Sequence, residues 1–302
     1  MKMDILKDYI DANPSQFISL SDEDFGSLHF ALLEMIDDIL LFCTEHQLKL
    51  YASGGTALGV IRHSGFIPWD EDVDFSMPRA DCDFLLAEFE NRFPGKYFIE
   101  APNHKLVGNH VFIKIKMNGT KMTDLLTKKG CSGLCVDVFP IDVAPKKGVI
   151  RFLKYMHFML LRNKLYLVSF ARQYDYLMRD GFRKCKLSSR VIARCGYLIG
   201  CLLGKSTLED RINKYDTIVR SCGESDDWFI ASGIHSCKVE TFPVSTYIPD
   251  KTGQFAGRTI LLPGRIEDIL ERFYGDYMTP PSPDRRAKHF FLELSYKGKQ
   301  TT

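Results

Sequence analysis

The chain has 302 residues, enough for one large domain or two modest ones and too many for a disulfide-stapled miniprotein. Hydrophobic residues make up 45% and charged residues 26%, which supplies an ordinary core and excludes long-range disorder. The net charge of +2 conceals an asymmetry: from Lys146 to Lys205 fourteen Lys and Arg face only Asp175 and Asp180, so that segment carries +12 and the remainder −10.

The opening MKMDILKDYIDANPSQF has acidic residues from Asp4 onward and no unbroken apolar run, unlike a secretory signal. A cytoplasmic location is expected, with free thiols: the nine cysteines are odd in number and contain no Cys-x-x-Cys pair. Cys131 and Cys135, the one close pair, lack the second pair a structural zinc site needs.

Ser21-Asp-Glu-Asp24 is a capping-box pattern, and Leu28, Leu32, Met35, Ile36, Ile39 and Phe42 follow at helical spacing, predicting a helix of about 20 residues. Leu48, Leu50 and Ala52 alternate as in a strand that enters Ser53-Gly54-Gly55, after which TALGVIR reads as a short helix. Asp72 to Ser76 predicts a second strand and DCDFLLAEFENRF a helix ending at Pro94. HVFIKIKM and TKMTDLLT read as two strands of a hairpin turned at Asn118-Gly119. Leu134 to Phe139 reads as a strand closed by Pro140. Residues 146–222 read as helical, and the remainder returns to short strands, a helix at IEDILERFYG and a Pro-rich turn. The expectation is a single α+β catalytic domain over 1–302, a mixed sheet with flanking helices, with 146–222 as a basic helical insertion.

In PWDEDVDF four acidic residues occupy five positions, and residues two apart share a strand face, so Asp72 and Asp74 are expected to project together. Two carboxylates on one face call for a cation between them, and oxygen ligands suit Mg²⁺ or Mn²⁺. The competing reading, a solvated acidic turn, is weakened by the apolar neighbours Ile67, Trp69, Val73 and Phe75. An EF-hand frame fails because Phe75 stands where the loop requires Gly. Upstream, Gly54, Gly55 and Thr56 lie between a strand and a helix, where bare amides hold phosphate oxygens. A glycine turn followed by Asp-x-Asp is the arrangement of nucleotidyltransferase folds. Asp137, flanked by Val136 and Val138, is the candidate third carboxylate, and burial would oblige it to find a partner.

GGTALGVIRHSGFIPWDEDVDFSM resembles the signature of the LicD family, shared with the catalytic domain of fukutin-related protein. LCVDVFPID is similar to that family's second block, and LERFYGDYMTPP followed by His289 to its C-terminal block; FAGR at 255–258 carries Ala256 where an FEGR-like element has an acidic residue. The resemblance implies a nucleotidyltransferase-like fold that transfers a phospho-alcohol, such as phosphocholine or ribitol phosphate, from a CDP-linked donor to a hydroxyl of a glycan or lipid-linked glycan, releasing CMP. Asp72, Asp74 and Asp137 would ligate the metal, Asp137 next to the nucleophile.

Further candidates are Arg62 for a donor phosphate, against a reading as a surface residue at a helix end; His63, against a structural role; Trp69 for stacking on cytosine or a choline cation, against core packing; and Lys114 for phosphate. Lys114 shares a strand face with Lys116, and the bland alternative is that both are solvated. Asp70 and Glu71 read as supporting or solvent-facing acids. A true nucleotidyltransferase and a non-catalytic glycan-binding protein are the competing functions. The basic, apolar 146–222 segment reads as a solvated helical face or as a surface that lies peripherally on anionic lipid. Its Cys195–Gly204 uncharged run is too short to span a bilayer, and no nucleic-acid signature accompanies the charge.

Overall fold

The computed structural model describes residues 2–18, 20–104, 108–125, 132–204, 206–221, 223–231, 233, 235–282, 286, 291–296 and 299–301. His289, Cys131 and Cys222 lie outside them. Helix α1 (Lys2–Ala12) precedes α2 (Asp22–Glu45). Helix α2 starts at the predicted capping box: Asp24 N donates to Ser21 Oγ at 3.2 Å, and Ser21 N to Asp24 Oδ2 at 2.9 Å. Its predicted apolar stripe, Leu28 to Phe42, is fully buried in the main core, where each such side chain contributes about 1.5–3 kcal/mol.

The chain then forms β1 (Tyr51–Ala52), α3 (Gly54–His63), β2 (Asp74–Pro78), α4 (Arg79–Arg92), β3 (Tyr97–Glu100), β4 (Ile113–Met117), β5 (Lys121–Asp124) and β6 (Cys135–Val143). After the helical segment come β7 (Asp227–Phe229), β8 (Thr241–Pro243), the short α8 (Val244–Tyr247), the hairpin β9 (Lys251–Phe255) and β10 (Arg258–Leu262), α9 (Ile266–Tyr274), β11 (Phe291–Tyr296) and β12 (Lys299–Thr301). The main sheet runs β3-β4-β6-β2-β1-β10-β9, with β7 and β8 continuing from β6. It is mixed: β2 with β6 and β1 with β10 are parallel, the other pairs antiparallel. This is the expected mixed α and β architecture.

Two local expectations are corrected. Asn118-Gly119 does turn the chain, with Gly119 at φ +76°, but β4 and β5 form no hairpin. Both edges of β4 are taken, by β3 and β6. Met117 N therefore donates to Leu134 O, and β5 leaves to pair with β11 in a separate three-stranded sheet with β12. Nor does Pro140 close its strand. Asp137 N donates towards β2, to Val73 O, so alternation points position 140 the other way. There β4 has ended, at Val138, and β7 has not begun, at Asp142; no ladder bond is lost by a residue without an N–H.

Between β6 and β7 lie α5 (Val149–Gln173), a π-helical turn at Tyr174–Met178, α6 (Leu187–Leu203) and α7 (Leu208–Arg220). Helices α5 and α6 approach so closely that a Cβ at Gly200 would strike the Leu167 carbonyl and Ala171. Phe158, Leu165 and Val168 of α5 pack with Leu208, Ile212 and Tyr215 of α7 and Phe229 of β7, while Phe170 and Ala193 share a second cluster with Tyr9 of α1. The outward sides stay apolar: Phe152, Leu153, Met156 and Leu160 on α5, and Leu187, Val191, Leu198 and Leu202 on α6, are exposed, Leu202 at 77%. Among the described residues no single helix is long and apolar enough to cross a membrane.

Candidate active site

Strand register builds the site. Lys114 of β4 pairs with Asp137 of β6, and Asp137 pairs with Asp74 of β2, so one cationic and two anionic side chains stand in a row across three strands, about 4.8 Å from strand to strand. Asp72 lies just before β2, in irregular backbone rather than in the predicted strand; its charge still acts on both Asp74 and Asp137. The structure thus brings the three sequence-predicted carboxylates together. It adds Asp70, whose charge also reaches Asp74.

Burial, followed by the charges of Asp72, Asp137 and Asp70, drives the Asp74 carboxyl well above the ordinary carboxylate range, with Lys114 opposing. Asp137 is raised by burial and pulled back by Lys114, whose Nζ lies 2.7 Å from both carboxylate oxygens. Burial would lower Lys114, yet the Asp137 charge prevails and keeps it an ammonium. The unpaired aspartate anticipated from the sequence has its partner, and the solvated reading of the two lysines is corrected. Lys116 is 3% exposed and makes a 3.0 Å ion pair with Glu100.

The glycines serve the carboxylates. A Cβ on Gly54 would stand 2.8 Å from Asp74 Oδ2, and one on Gly55 2.5 Å from Asp70 Oδ2. Gly54 also has φ +50°, disfavoured for a side-chain-bearing residue. Both sit in the first turn of α3, whose dipole favours negative charge. Thr56 Oγ1 accepts from Asp74 N at 2.8 Å, and Ser53 N donates to Asp74 O at 3.0 Å, so the N-terminus of α3 and the start of β2 are tied together.

The remaining candidates spread over the rim. Arg62 donates from Nη1 to the Tyr277 carbonyl at 2.8 Å. His63 is lowered by burial and the Arg62 charge, which favours the neutral ring; it meets Trp69 edge-on at 6.3 Å. One face of Trp69 already carries a cation, since the Arg286 guanidinium lies 3.8 Å over the ring. Glu71, read as supporting or solvent-facing, is buried. FAGR forms the β9–β10 turn, where Ala256 N donates to Ser64 O beyond the C-terminus of α3, one ten-residue helix, about 15 Å, from Gly54.

Asp70 was read as a supporting or solvent-facing acid, and Tyr274, His235 and Glu240 were not singled out as site groups from the sequence. Tyr274, at the end of α9, has its phenol pushed up by burial and then by Asp74, Asp70 and Asp72. With Gly54, Asp74, Phe139, His235, Glu240 and Phe273 it lines a small cavity of about 30 Å³. A larger open depression of about 620 Å³ lies between α4 and α7 and has none of these carboxylates in its wall.

Among the described residues no three His, Cys, Asp or Glu side chains converge closely enough to grip a metal as they stand. The donor chemistry nevertheless fits a hard divalent cation: all three groups are carboxylates, the charges of Asp72 and Asp137 both act on the buried Asp74, and Lys114 opposes them.

Residues 47–160 match the family described as LicD/FKTN/FKRP, nucleotidyltransferase domain. The chain is similar to the lipopolysaccharide cholinephosphotransferase LicD of Haemophilus influenzae, at 22% identity over 267 residues, covering 85% of this chain and 92% of that protein. An uncharacterized protein of Rickettsia prowazekii is 32% identical over 91 residues, covering 27% of this chain and 34% of that one.

Proposed function

We propose that this chain, whose residues 47–160 match the LicD/FKTN/FKRP nucleotidyltransferase domain and which is similar along most of its length to a LicD cholinephosphotransferase, moves a phospho-alcohol from a CDP-linked donor to a glycan hydroxyl and releases CMP. The observation that carries this reading is the row Lys114–Asp137–Asp74 beside Gly54 and Gly55. It joins a set of acids in need of a cation to a helix N-terminus with bare backbone. Asp72, Asp74 and Asp137 would hold Mg²⁺ or Mn²⁺, which when bound neutralises the donor diphosphate and polarises the phosphorus under attack.

The acceptor oxygen attacks the phosphorus that bears the alcohol, the bond from that phosphorus to the bridging oxygen breaks, and CMP leaves with the electron pair. Asp137 takes the hydroxyl proton, and Lys114 holds its carboxylate in place for that transfer. Such transfers ask chiefly for positioning and charge stabilisation. The amides of Gly54 and Gly55 and the side chains of Thr56, Arg62, His63 and Trp69 would bind donor phosphate and base, Arg62 through guanidinium N–H groups beyond the one held by the Tyr277 carbonyl.

The test is to incubate the protein with Mg²⁺ and a panel of CDP-alcohols and to measure CMP by mass. Donor-dependent CMP release with a phospho-alcohol-modified glycan is expected. A nucleotide-modified acceptor would replace the reading with true nucleotidyl transfer, and glycan binding without turnover would leave a non-catalytic binding protein.

We infer as well that the insertion docks peripherally on an anionic membrane that presents a lipid-linked acceptor. The exposed apolar residues of α5 and α6, in a segment of net charge +12, support this.

A further inference from the structure

His29, on the first half of α2, reaches across to the acidic loop that precedes β2. Its Nε2 lies 2.7 Å from the carbonyl oxygen of Asp70, 41 residues away in the chain. A carbonyl oxygen only accepts, so Nε2 carries the proton. Burial lowers the imidazole, against the Asp70 carbonyl and the Glu71 charge, and the ring donates in its neutral form. That ring is stacked on Phe66, with centroids 3.9 Å apart and planes within 6°, and Phe66 packs on the fully buried Phe255 at 4.8 Å. On α2 itself the neighbouring Leu28 and Leu32 are fully buried, so the donor stands on a fixed helix. Asp70 N in turn donates to Ile67 O at 2.9 Å. The next backbone anchor is Val73, whose carbonyl accepts from Asp137 N at 2.9 Å. Glu71 and Asp72 stand between these two anchors, and the Asp70 side chain lies over Gly55.

We propose that His29 is a positioning residue for the carboxylate site: by holding the Asp70 carbonyl it sets where Asp70 and Asp72 stand relative to Asp74, and so how tightly the site takes its divalent cation. This rests on the reading above in which Asp72, Asp74 and Asp137 hold Mg²⁺ or Mn²⁺. A hydrogen bond that orients a ligand-bearing segment acts on metal affinity without touching the metal. His29 lies before residue 47, where the match to the nucleotidyltransferase domain begins, so helix α2 supplies the site with an anchor from outside that domain. The stack on Phe66 fixes the ring plane, and the ring plane fixes the direction of the N–H.

The test uses two variants of the full chain that separate the hydrogen bond from the stack. His29→Phe keeps a ring on Phe66 and removes the donor; His29→Gln keeps an N–H donor and removes the ring. Mn²⁺ binding is followed by loss of the free ion's paramagnetic resonance signal, alongside thermal melts and CMP release from CDP-choline over a range of Mg²⁺ concentrations. His29→Phe is expected to weaken Mn²⁺ binding at least about tenfold, and to raise the Mg²⁺ needed for half-maximal CMP release by a similar factor. Its KM for CDP-choline at saturating Mg²⁺ should stay near that of the wild type. His29→Gln is expected to bind Mn²⁺ within about threefold of the wild type, even where it melts lower. Unchanged Mn²⁺ affinity in a folded His29→Phe overturns the proposal. So does a His29→Gln that loses Mn²⁺ affinity about tenfold, a result that decides the matter even where His29→Phe does not fold. A wild type that binds no Mn²⁺ overturns the proposal together with the metal assignment. Mn²⁺ binding that responds to His29 as expected, in a protein that releases no CMP, upholds the positioning role and refutes the transfer alone.

Discussion

Placing a methyl group on each of the two glycines at the start of α3 separates backbone strain from displacement of a carboxylate. In Gly54→Ala the new Cβ stands 2.8 Å from Asp74 Oδ2, about 0.6 Å inside ordinary contact at 3.4 Å. The Asp74 backbone is pinned by Thr56, Ser53 and strand β6, so the side chain must absorb the shift. A misplacement of 1 Å costs roughly 100-fold in rate, so a loss of about 10- to 100-fold in CMP release is expected. The φ of +50° adds a stability cost of about 1–2 kcal/mol. In Gly55→Ala the methyl stands 2.5 Å from Asp70 Oδ2, but φ is ordinary and Ala is favoured in a helix by up to about 1 kcal/mol. That variant should melt no lower than the wild type and lose less activity, because it moves Asp70 rather than Asp74. Thermal melts paired with CMP release measure both. Full turnover in a folded but destabilised Gly54→Ala would refute the idea that the Asp74 carboxylate works at the reacting centre.

Asp72→Asn and Asp74→Asn should each cut turnover at least about 100-fold; Asp74→Asn should also melt no lower than the wild type without divalent cation, since it removes a buried like charge, and a sharp drop in its melting temperature would contradict the charge argument. Lys114→Met leaves Asp137 without its cation, a loss of about 3–5 kcal/mol, and Mg²⁺ should recover more of it than it adds to the wild type; equal Mg²⁺ shifts would sever Asp137 from the metal. Glu240 is pushed up to about 8 by burial, against the His235 amide and Arg162, with Tyr247 and Cys237 also nearby. The folded state therefore keeps a proton that the unfolded chain releases near 4.5, so stability falls as pH rises from about 4.5 to about 8 and levels above, and Glu240→Gln should lack several kcal/mol of that fall in denaturant titrations; matching pH profiles would count against it. Co-sedimentation should show binding to anionic but not neutral vesicles, weakening with salt and with joint neutralisation of the exposed Arg183, Lys184, Lys186 and Arg190; no binding at low salt makes the insertion a solvated one.

Much of the site was legible because strand alternation carries over into space. Asp137 between two valines could only face the sheet surface that Asp74 faces, and the glycine turn before α3 marked where backbone and acid must approach. Pairing partners are a global matter, so Asn118-Gly119 gave a correct turn and an incorrect hairpin. Lys114 read as a phosphate ligand or a solvated lysine, and not as the partner of Asp137, because nothing local reveals that β4 lies between two strands. Glu240 sits in KVETF, with no periodicity to mark it as buried; only the meeting of β8, α9 and the start of α3 makes it part of a cavity.

The break at Pro140 has a mechanical consequence. Strand β6 is zipped to β2 from Asp137 past Pro140, whereas on its other side β4 and β7 are separate partners with no shared ladder bond. The β7 end carries the core of α5 and α7, while the β4 end carries Lys114. Local opening spreads through contiguous hydrogen-bonded units, so opening of β7 does not of itself unzip β4 from β6. The two halves of β6 thus have separate outer partners, and slower amide exchange in β4 than in β7 is the expected signature.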